Sequence, residues 1–248
     1  MSAEHNKYRE RVYRNYVGAR DRPLAAATLD ALRPRLPYLR RLVRNHFPKQ
    51  RDAIIVDLGC GHGALLHVLT QLGYRNVRGI DASAEQVATA RRLGISGVEQ
   101  GNVLDVLASM PDHSQDVVVA FDVIEHFTKV ELVDLVDQVR RVLRPTGRWI
   151  IHAPNGESPF GMGIRYGDIT HEQAYTRSSI AQLLLSSGFA RVESFEDQPV
   201  PHGVKSCIRL LLWKLIRAGL IFYVAVETGT FDRHAIFTQN LLTVAWCN

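Results

Sequence analysis

The sequence predicts an α/β fold, a largely parallel sheet covered by helices on both faces. Three observations carry this. From residue 53 onward, short apolar runs alternate with stretches whose apolar residues recur at a spacing near 3.6. The first run passes directly into a glycine-rich turn and then into a helix. Strand–helix alternation of this kind requires crossover connections that return each strand parallel to the one before.

Residues 1–50 read as a helical lead-in or cap: apolar Leu32, Leu36, Tyr38, Leu39 and Leu42 recur among arginines, with Pro34 and Pro37 breaking the pattern. Strands are expected at 53–58, 76–81, 97–100, 116–121 and 148–152, and helices at 64–72, 84–93, 104–110 and 129–143. A helix at 178–187, a strand at 191–195 and a last strand at 236–246 follow. Residues 51–248 thus form one domain, with inserted cap segments near 153–176 and 199–233. Irregular segments at the carboxyl ends of parallel strands commonly shape substrate sites. No internal repeat or low-complexity segment is present.

The chain has 248 residues, 46% hydrophobic and 22% charged, which excludes collagen-like, coiled-coil and wholly disordered readings. Its net charge is +5 and its pI about 9.3. The excess is concentrated: residues 8–51 hold twelve Lys and Arg against three acids. Such a face attracts phosphate, anionic membrane or nucleic acid, or is simply a solvated helical surface. No nucleic-acid-binding motif appears, so no nucleic-acid partner is expected. Cys60, Cys207 and Cys247 lie far apart without C-x-x-C spacing, which fits a reducing compartment and not a structural zinc site. The polar N-terminus lacks a signal-peptide core and no apolar run is long enough to span a membrane. A cytoplasmic protein is expected, with a peripheral membrane contact left open.

The run Ile54-Ile55-Val56-Asp57-Leu58-Gly59-Cys60-Gly61-His62-Gly63-Ala64 is a buried strand entering a glycine turn and a helix. Gly59 and Gly61 remove side chains where backbone must approach a ligand, and the helix N-terminus offers free N–H groups. The next strand ends at Asp81, placed to accept both ribose hydroxyls of an adenosine. A nucleoside cofactor follows. The same turn satisfies a G-x-G-x-x-A dinucleotide pattern, which alone is weak. Asp57 precedes the first glycine by two residues, where it would repel a pyrophosphate but suit a cationic amino group. An acidic, histidine-bearing loop, Asp122-Val123-Ile124-Glu125-His126-Phe127, ends the fourth strand.

With these features the chain resembles class I S-adenosylmethionine-dependent methyltransferases over about residues 50–197 and again in the final strand. The motifs are Asp57–Gly63, Asp81, Gly101-Asn102, Phe121–Phe127 and Arg144-Pro145-Thr146-Gly147. The resemblance implies a Rossmann-like seven-stranded sheet of order 3-2-1-4-5-7-6 with the last strand antiparallel. It also implies S-adenosyl-L-methionine as cofactor, leaving as S-adenosyl-L-homocysteine. Asp57, Gly59 and Gly61 would line its methionine end, Asp81 its ribose, and Asn102 with Val103 its adenine. Cys60, Ala82 and Phe121 would complete the wall. Asn102 stands where aspartate is commoner, and its amide oxygen would still accept the adenine amino group.

Methyl transfer is an in-line displacement, catalysed by positioning and, for a hydroxyl acceptor, by a base. A neutral imidazole suits that role. His62, His126, His152 and His171 fall at loop positions. His126 and His171 are the candidate catalytic residues, the latter flanked by Asp168 and Glu172; each also has a purely structural reading. His152, between apolar neighbours, reads more as a packed histidine. Tyr13 and Tyr16 are candidates for covering the cofactor. No metal site is expected, since His171-Glu172 lacks a second histidine four residues on.

The set Pro154–Phe160, 168–176 and Ser186-Ser187-Gly188-Phe189 resembles a bacterial subgroup accompanying polysaccharide and glycoconjugate assembly. This implies a sugar or glycan-precursor acceptor. In residues 205–226, Lys205, Arg209, Lys214 and Arg217 are expected on one helical face opposite Leu211, Leu212, Leu215 and Ile216, with Trp213 and Tyr223 as interfacial aromatics. That helix suits a membrane surface, a lid or a homodimer contact. A lipophilic ring such as a quinone or polyketide is the second acceptor class. An NAD-dependent oxidoreductase and a non-catalytic cofactor-binding scaffold are the remaining readings.

Overall fold

A computed structural model of the chain describes residues 11–12 and 26–248. Tyr13 and Tyr16 lie outside the described residues. Seven strands form one sheet: β1 (Ile54–Leu58), β2 (Asn76–Asp81), β3 (Val98–Gln100), β4 (Gln115–Phe121), β5 (Leu143–Pro154), β6 (Arg191–Glu196) and β7 (Asn240–Trp246). Their order is β3-β2-β1-β4-β5-β7-β6, the expected one. β1 to β5 pair in parallel, and β7 runs antiparallel to both β5 and β6.

Side chains alternate across the sheet with the two-residue period of a strand. Val56, Val118, Ala120, Trp149 and Ile151 enter the core on one face, with Leu135 and Val139 of helix α5 (Lys129–Val142) and Ile180 of α7 (Arg177–Ser186). Ile55, Val117, Val119 and Ile150 enter the other, against α1 (Leu36–His46) and α2 (Ala64–Gln71). Both faces of the central strands are covered, which explains their unbroken apolar character. α3 (Ala84–Arg92), α4 (Val103–Ser109) and the single turn α6 (Met162–Arg165) complete the layers before the long α8 (Val204–Thr228).

Pro37, expected to interrupt the lead-in, stands in the first turn of α1, where no N–H is needed for the helix ladder. Leu39, Leu42 and Val43 bury the other side of that helix in the domain core. The last strand begins at Asn240 rather than at 236. The carbonyls of Ile236 and Thr238 are taken instead by the Asn155 amide, and that of Gln239 by the Asn155 N–H, so this segment anchors the chain leaving β5.

Of the basic face expected on 205–226, Lys205, Arg209 and Lys214 are exposed, but Arg217 is drawn inward. Arg217 turns toward the domain: its Nε lies 3.0 Å from Glu196 Oε2, and its guanidinium donates to the Arg233 and Ala235 carbonyls. Trp213 Nε1 donates to the same carboxylate. The outward face of α8 is apolar, with Val204, Ile208, Leu211, Leu215, Phe222 and Val226 each more than half exposed. Val204 to Leu215 recur at three- and four-residue steps, and Phe222 and Val226 continue the same face two turns on, past Ala218 and Gly219. Among the described residues no helix is long and apolar enough to cross a membrane.

Candidate functional site

The sheet's parallel strands end at a cavity of about 720 Å³, located where connections leave β1 toward β2 on one side and β4 lies on the other. All nine expected cofactor residues line it: Asp57, Gly59, Cys60, Gly61, Asp81, Ala82, Asn102, Val103 and Phe121. Arg35 and Leu39, from the N-terminal segment, also line it; sequence reasoning missed them because nothing local to that segment marks it as facing the β1 turn.

The turn after β1 needs its glycines. Gly59 has φ +64, and a Cβ there would stand 2.3 Å from Val123 Cγ2. The backbone therefore lies flat against the neighbouring loop, open to a ligand on the other side. Asp81 holds the turn from β2: Oδ2 accepts the Gly61 N–H at 2.7 Å and Oδ1 that of Ser83 at 2.8 Å. Burial raises the Asp81 pKa, with those two N–H groups opposing. Asp57 is buried, and its Oδ1 has no hydrogen-bond partner among the described residues. Burial, reinforced by Asp81, pushes its pKa up to about 8. A cationic group entering the cavity would supply the partner this carboxylate lacks.

Asn102 behaves differently from the expectation. Its side-chain oxygen caps α4, accepting from the Leu104 and Asp105 N–H groups at 2.9 and 3.4 Å. The oxygen assigned to an adenine amino group is committed to the helix. The Cys60 side chain packs over Gly79 of β2, where a Cβ would come within 2.6 Å of its sulfur, and burial raises its thiol pKa.

Beyond β4, the chain Asp122–Phe127 meets the segment that follows β5. Glu172 N donates to the Glu125 carbonyl at 2.7 Å, and the Tyr175 hydroxyl to the Ile124 carbonyl at 2.8 Å. Arg165 donates to the carbonyls of His171 and Glu172. These bonds bring His126 and His171 edge to face, ring centroids 4.7 Å apart. His126 lines the cavity; His171 does not, and stands behind it with its pKa lowered by burial. The carboxylate facing His171 is Glu125, 3.9 Å from its Nε2, whereas Asp168 turns to the Thr170 N–H and hydroxyl. Burial and the adjacent Asp122 raise the Glu125 pKa.

His62 is buried on the cavity wall against Gln86. His152, expected to be packed among apolar groups, is instead held between two carboxylates: Nδ1 lies 2.6 Å from Asp122 and Nε2 3.4 Å from Asp197. Phe121 stacks on it at 4.9 Å. Burial disfavours the imidazolium, but the two carboxylates outweigh this and push its pKa up to about 10. Its carboxylate partners come from the β4 loop and from beyond β6, so neither is adjacent in sequence.

Residues 56–151 match the family described as a methyltransferase domain. The chain is 29% identical over 131 residues to a ubiquinone biosynthesis O-methyltransferase of Chelativorans sp., covering 49% of this chain and 51% of that one. It is 34% identical over 102 residues to a probable S-adenosylmethionine-dependent methyltransferase of Mycolicibacterium smegmatis, covering 41% and 38%. The chain thus spans about half, or less, of the length of these curated relatives. In fold it is similar to a SAM-dependent methyltransferase structure from Archaeoglobus fulgidus, with TM-score 0.65, 19% identity and coverage of 87% of this chain and 94% of that one. The architecture is the Rossmann-like methyltransferase fold, and residues 56–151 are similar to the methyltransferase-domain family.

Proposed function

We propose that the chain is an O-methyltransferase that takes the methyl group of S-adenosylmethionine to a hydroxyl of a sugar or glycan precursor. The observation that carries the reading is a cavity lined together by Asp57, the glycine turn, Asp81 and His126. Bound there, the cofactor supplies a methyl carbon on a sulfonium; as the acceptor oxygen attacks, the carbon–sulfur bond breaks and S-adenosylhomocysteine remains. Asp57 pairs with the cofactor's amino group and Asp81 receives the ribose hydroxyls on its remaining lone pairs. Val103 and Phe121 give the apolar walls that exclude water. His126, which lines the cavity wall as His62 also does, faces the acceptor hydroxyl and, where no ion is bound, takes its proton.

A second acceptor, a lipophilic ring, is favoured by the exposed apolar ridge of α8 and by the naming of relatives as ubiquinone biosynthesis O-methyltransferases. Methyl-labelled cofactor incubated with the protein and a cell extract, followed by water–organic partition, separates them. Label in the aqueous phase supports the sugar acceptor, label in the organic phase the lipophilic ring, and no transfer to any acceptor overturns both.

A further inference from the structure

We infer that Glu125, His126 and His171 form a binding site for one divalent transition-metal ion beside the cavity wall that carries His126. A ligand-capable atom from each lies within 4.8 Å of the other two. Ligands at about 2.1 Å from a shared ion stand about 3–4 Å from one another, so small rotamer shifts close the set. His126 and His171 are separated by 44 residues in the chain; only the fold unites them.

The carboxylate is the stronger sign. Glu125 is fully buried, yet neither side-chain oxygen has a hydrogen-bond partner among the described residues, and its oxygen faces His171 Nε2 at 3.9 Å. A carboxylate is costly to bury without a counter-charge. A dication held with two imidazoles provides one.

The surroundings orient both rings. His171 Nδ1 lies 3.0 Å from the Ile164 carbonyl, which only accepts, so Nδ1 carries the proton and Nε2 the lone pair. The Thr170 hydroxyl donates to Asp168 at 2.6 Å, so its oxygen accepts from His126 Nδ1 at 2.8 Å, and His126 Nε2 carries that ring's lone pair. The Ile164 carbonyl and the Asp168-anchored Thr170 hydroxyl take the part of the outer partners that fix metal-binding imidazoles. Two imidazoles and a carboxylate suit Mn, Fe, Co or Zn rather than Mg or Ca, which prefer oxygen alone. Because His126 lines the cavity, an ion held by this set would border the cavity. This deepens the methyl-transfer reading, on which only the acceptor rests: it favours acceptors with two neighbouring oxygens, as in a vicinal diol or a catechol. With the ion present, the hydroxyl ionises on the metal and its proton passes to solvent, since a ligating His126 has no lone pair to take it.

The test is titration of the full-length, EDTA-treated chain with MnCl₂, free Mn²⁺ being followed by electron paramagnetic resonance. One ion should bind per chain, and Co²⁺ should show a visible band of nitrogen ligation. His171→Ala and Glu125→Gln should each weaken binding at least tenfold. His171→Ala should leave S-adenosylhomocysteine affinity within about twofold, which shows that the variant is folded. No stoichiometric binding, or binding undiminished in His171→Ala, overturns the site. A chain that binds Mn²⁺ with these losses but transfers no methyl group keeps the site and refutes the transferase reading. Equal transfer before and after EDTA, without Mn²⁺ binding, refutes the site alone.

Discussion

Asp81 Oδ2 accepts the Gly61 N–H at 2.7 Å, joining the end of β2 to the turn after β1. The carboxylate thus shapes the turn as well as offering its remaining lone pairs to the cavity. Asp81→Ala should weaken S-adenosylhomocysteine binding at least tenfold and also lower the melting temperature of the ligand-free chain. Asp81→Asn, which keeps one acceptor oxygen, should retain more stability than affinity. Calorimetric titration beside thermal melts checks both; unchanged affinity in Asp81→Ala removes the ribose role.

Asp57 makes cofactor binding depend on pH. Its pKa of about 8 in the free protein means that it is largely protonated at pH 6, whereas pairing with a cation favours the ionised form. Binding therefore releases a proton, and affinity should climb from pH 6 toward pH 8. Above about pH 8 the ligand's amino group loses its own charge, so affinity should peak near there. Asp57→Asn should flatten the rise. Titrations in buffers of differing ionisation enthalpy report the released proton directly, and an Asp57→Asn profile parallel to that of the parent contradicts the assignment.

The glycine turn was legible because its chemistry is local: strand, turn and helix start are consecutive, and Asp81 closes the adjacent strand. The pairing of His126 with His171 was not, because the approach of 168–175 to the β4 loop depends on bonds such as Glu172 N to the Glu125 carbonyl. The same limit hid the partners of His152, which follow β4 and β6, strands on either side of β5. Asn102 shows another: residue type marks a polar group at the cavity but not that its oxygen is consumed by capping α4. For α8 the 3.6 periodicity located a helix, yet which face packs depended on Glu196, distant in sequence.

Gly59→Ala combines two penalties. The φ of +64 costs an L-residue about 1–2 kcal/mol, and the new Cβ would meet Val123 Cγ2. The variant should be destabilised and lose most of its cofactor affinity. Adding Val123→Ala should recover part of the stability by removing the clash while leaving the backbone strain. Full recovery in thermal melts would show that the left-handed conformation is not required.

His152 predicts a stability profile in alkali. Its folded pKa is raised to about 10 from an unfolded value near 6.5, so its contribution is fully present below pH 6.5 and is lost as pH rises toward 10. Asp57, raised from about 3.8 to about 8, also takes stability away with rising pH, but its effect levels off near pH 8. The fall between pH 8 and 10 therefore contains the contribution of His152 with Asp122 and Asp197, beside that of the buried thiols Cys60 and Cys247, and the His152 variant isolates it. His152→Gln should lower the melting temperature at pH 7 and flatten that alkaline slope, and a slope unchanged in the variant rejects the ion-paired state.

The ridge of α8 links structure to the choice of acceptor. Arg217 and Trp213 fasten one side of the helix to Glu196, which leaves Leu211, Leu215 and Phe222 facing away from the domain. Lys205, Arg209 and Lys214 are exposed beside them, so apolar insertion and attraction to anionic headgroups would act together. A lipophilic acceptor predicts that the chain floats with phosphatidylglycerol vesicles. Leu215→Glu with Phe222→Glu should abolish flotation while S-adenosylhomocysteine affinity is unchanged, since neither side chain lines the cavity. Arg217→Ala should instead lower stability by loosening the helix from Glu196. A parent chain that stays below the vesicles removes membrane docking and leaves the water-soluble sugar acceptor as the consistent reading.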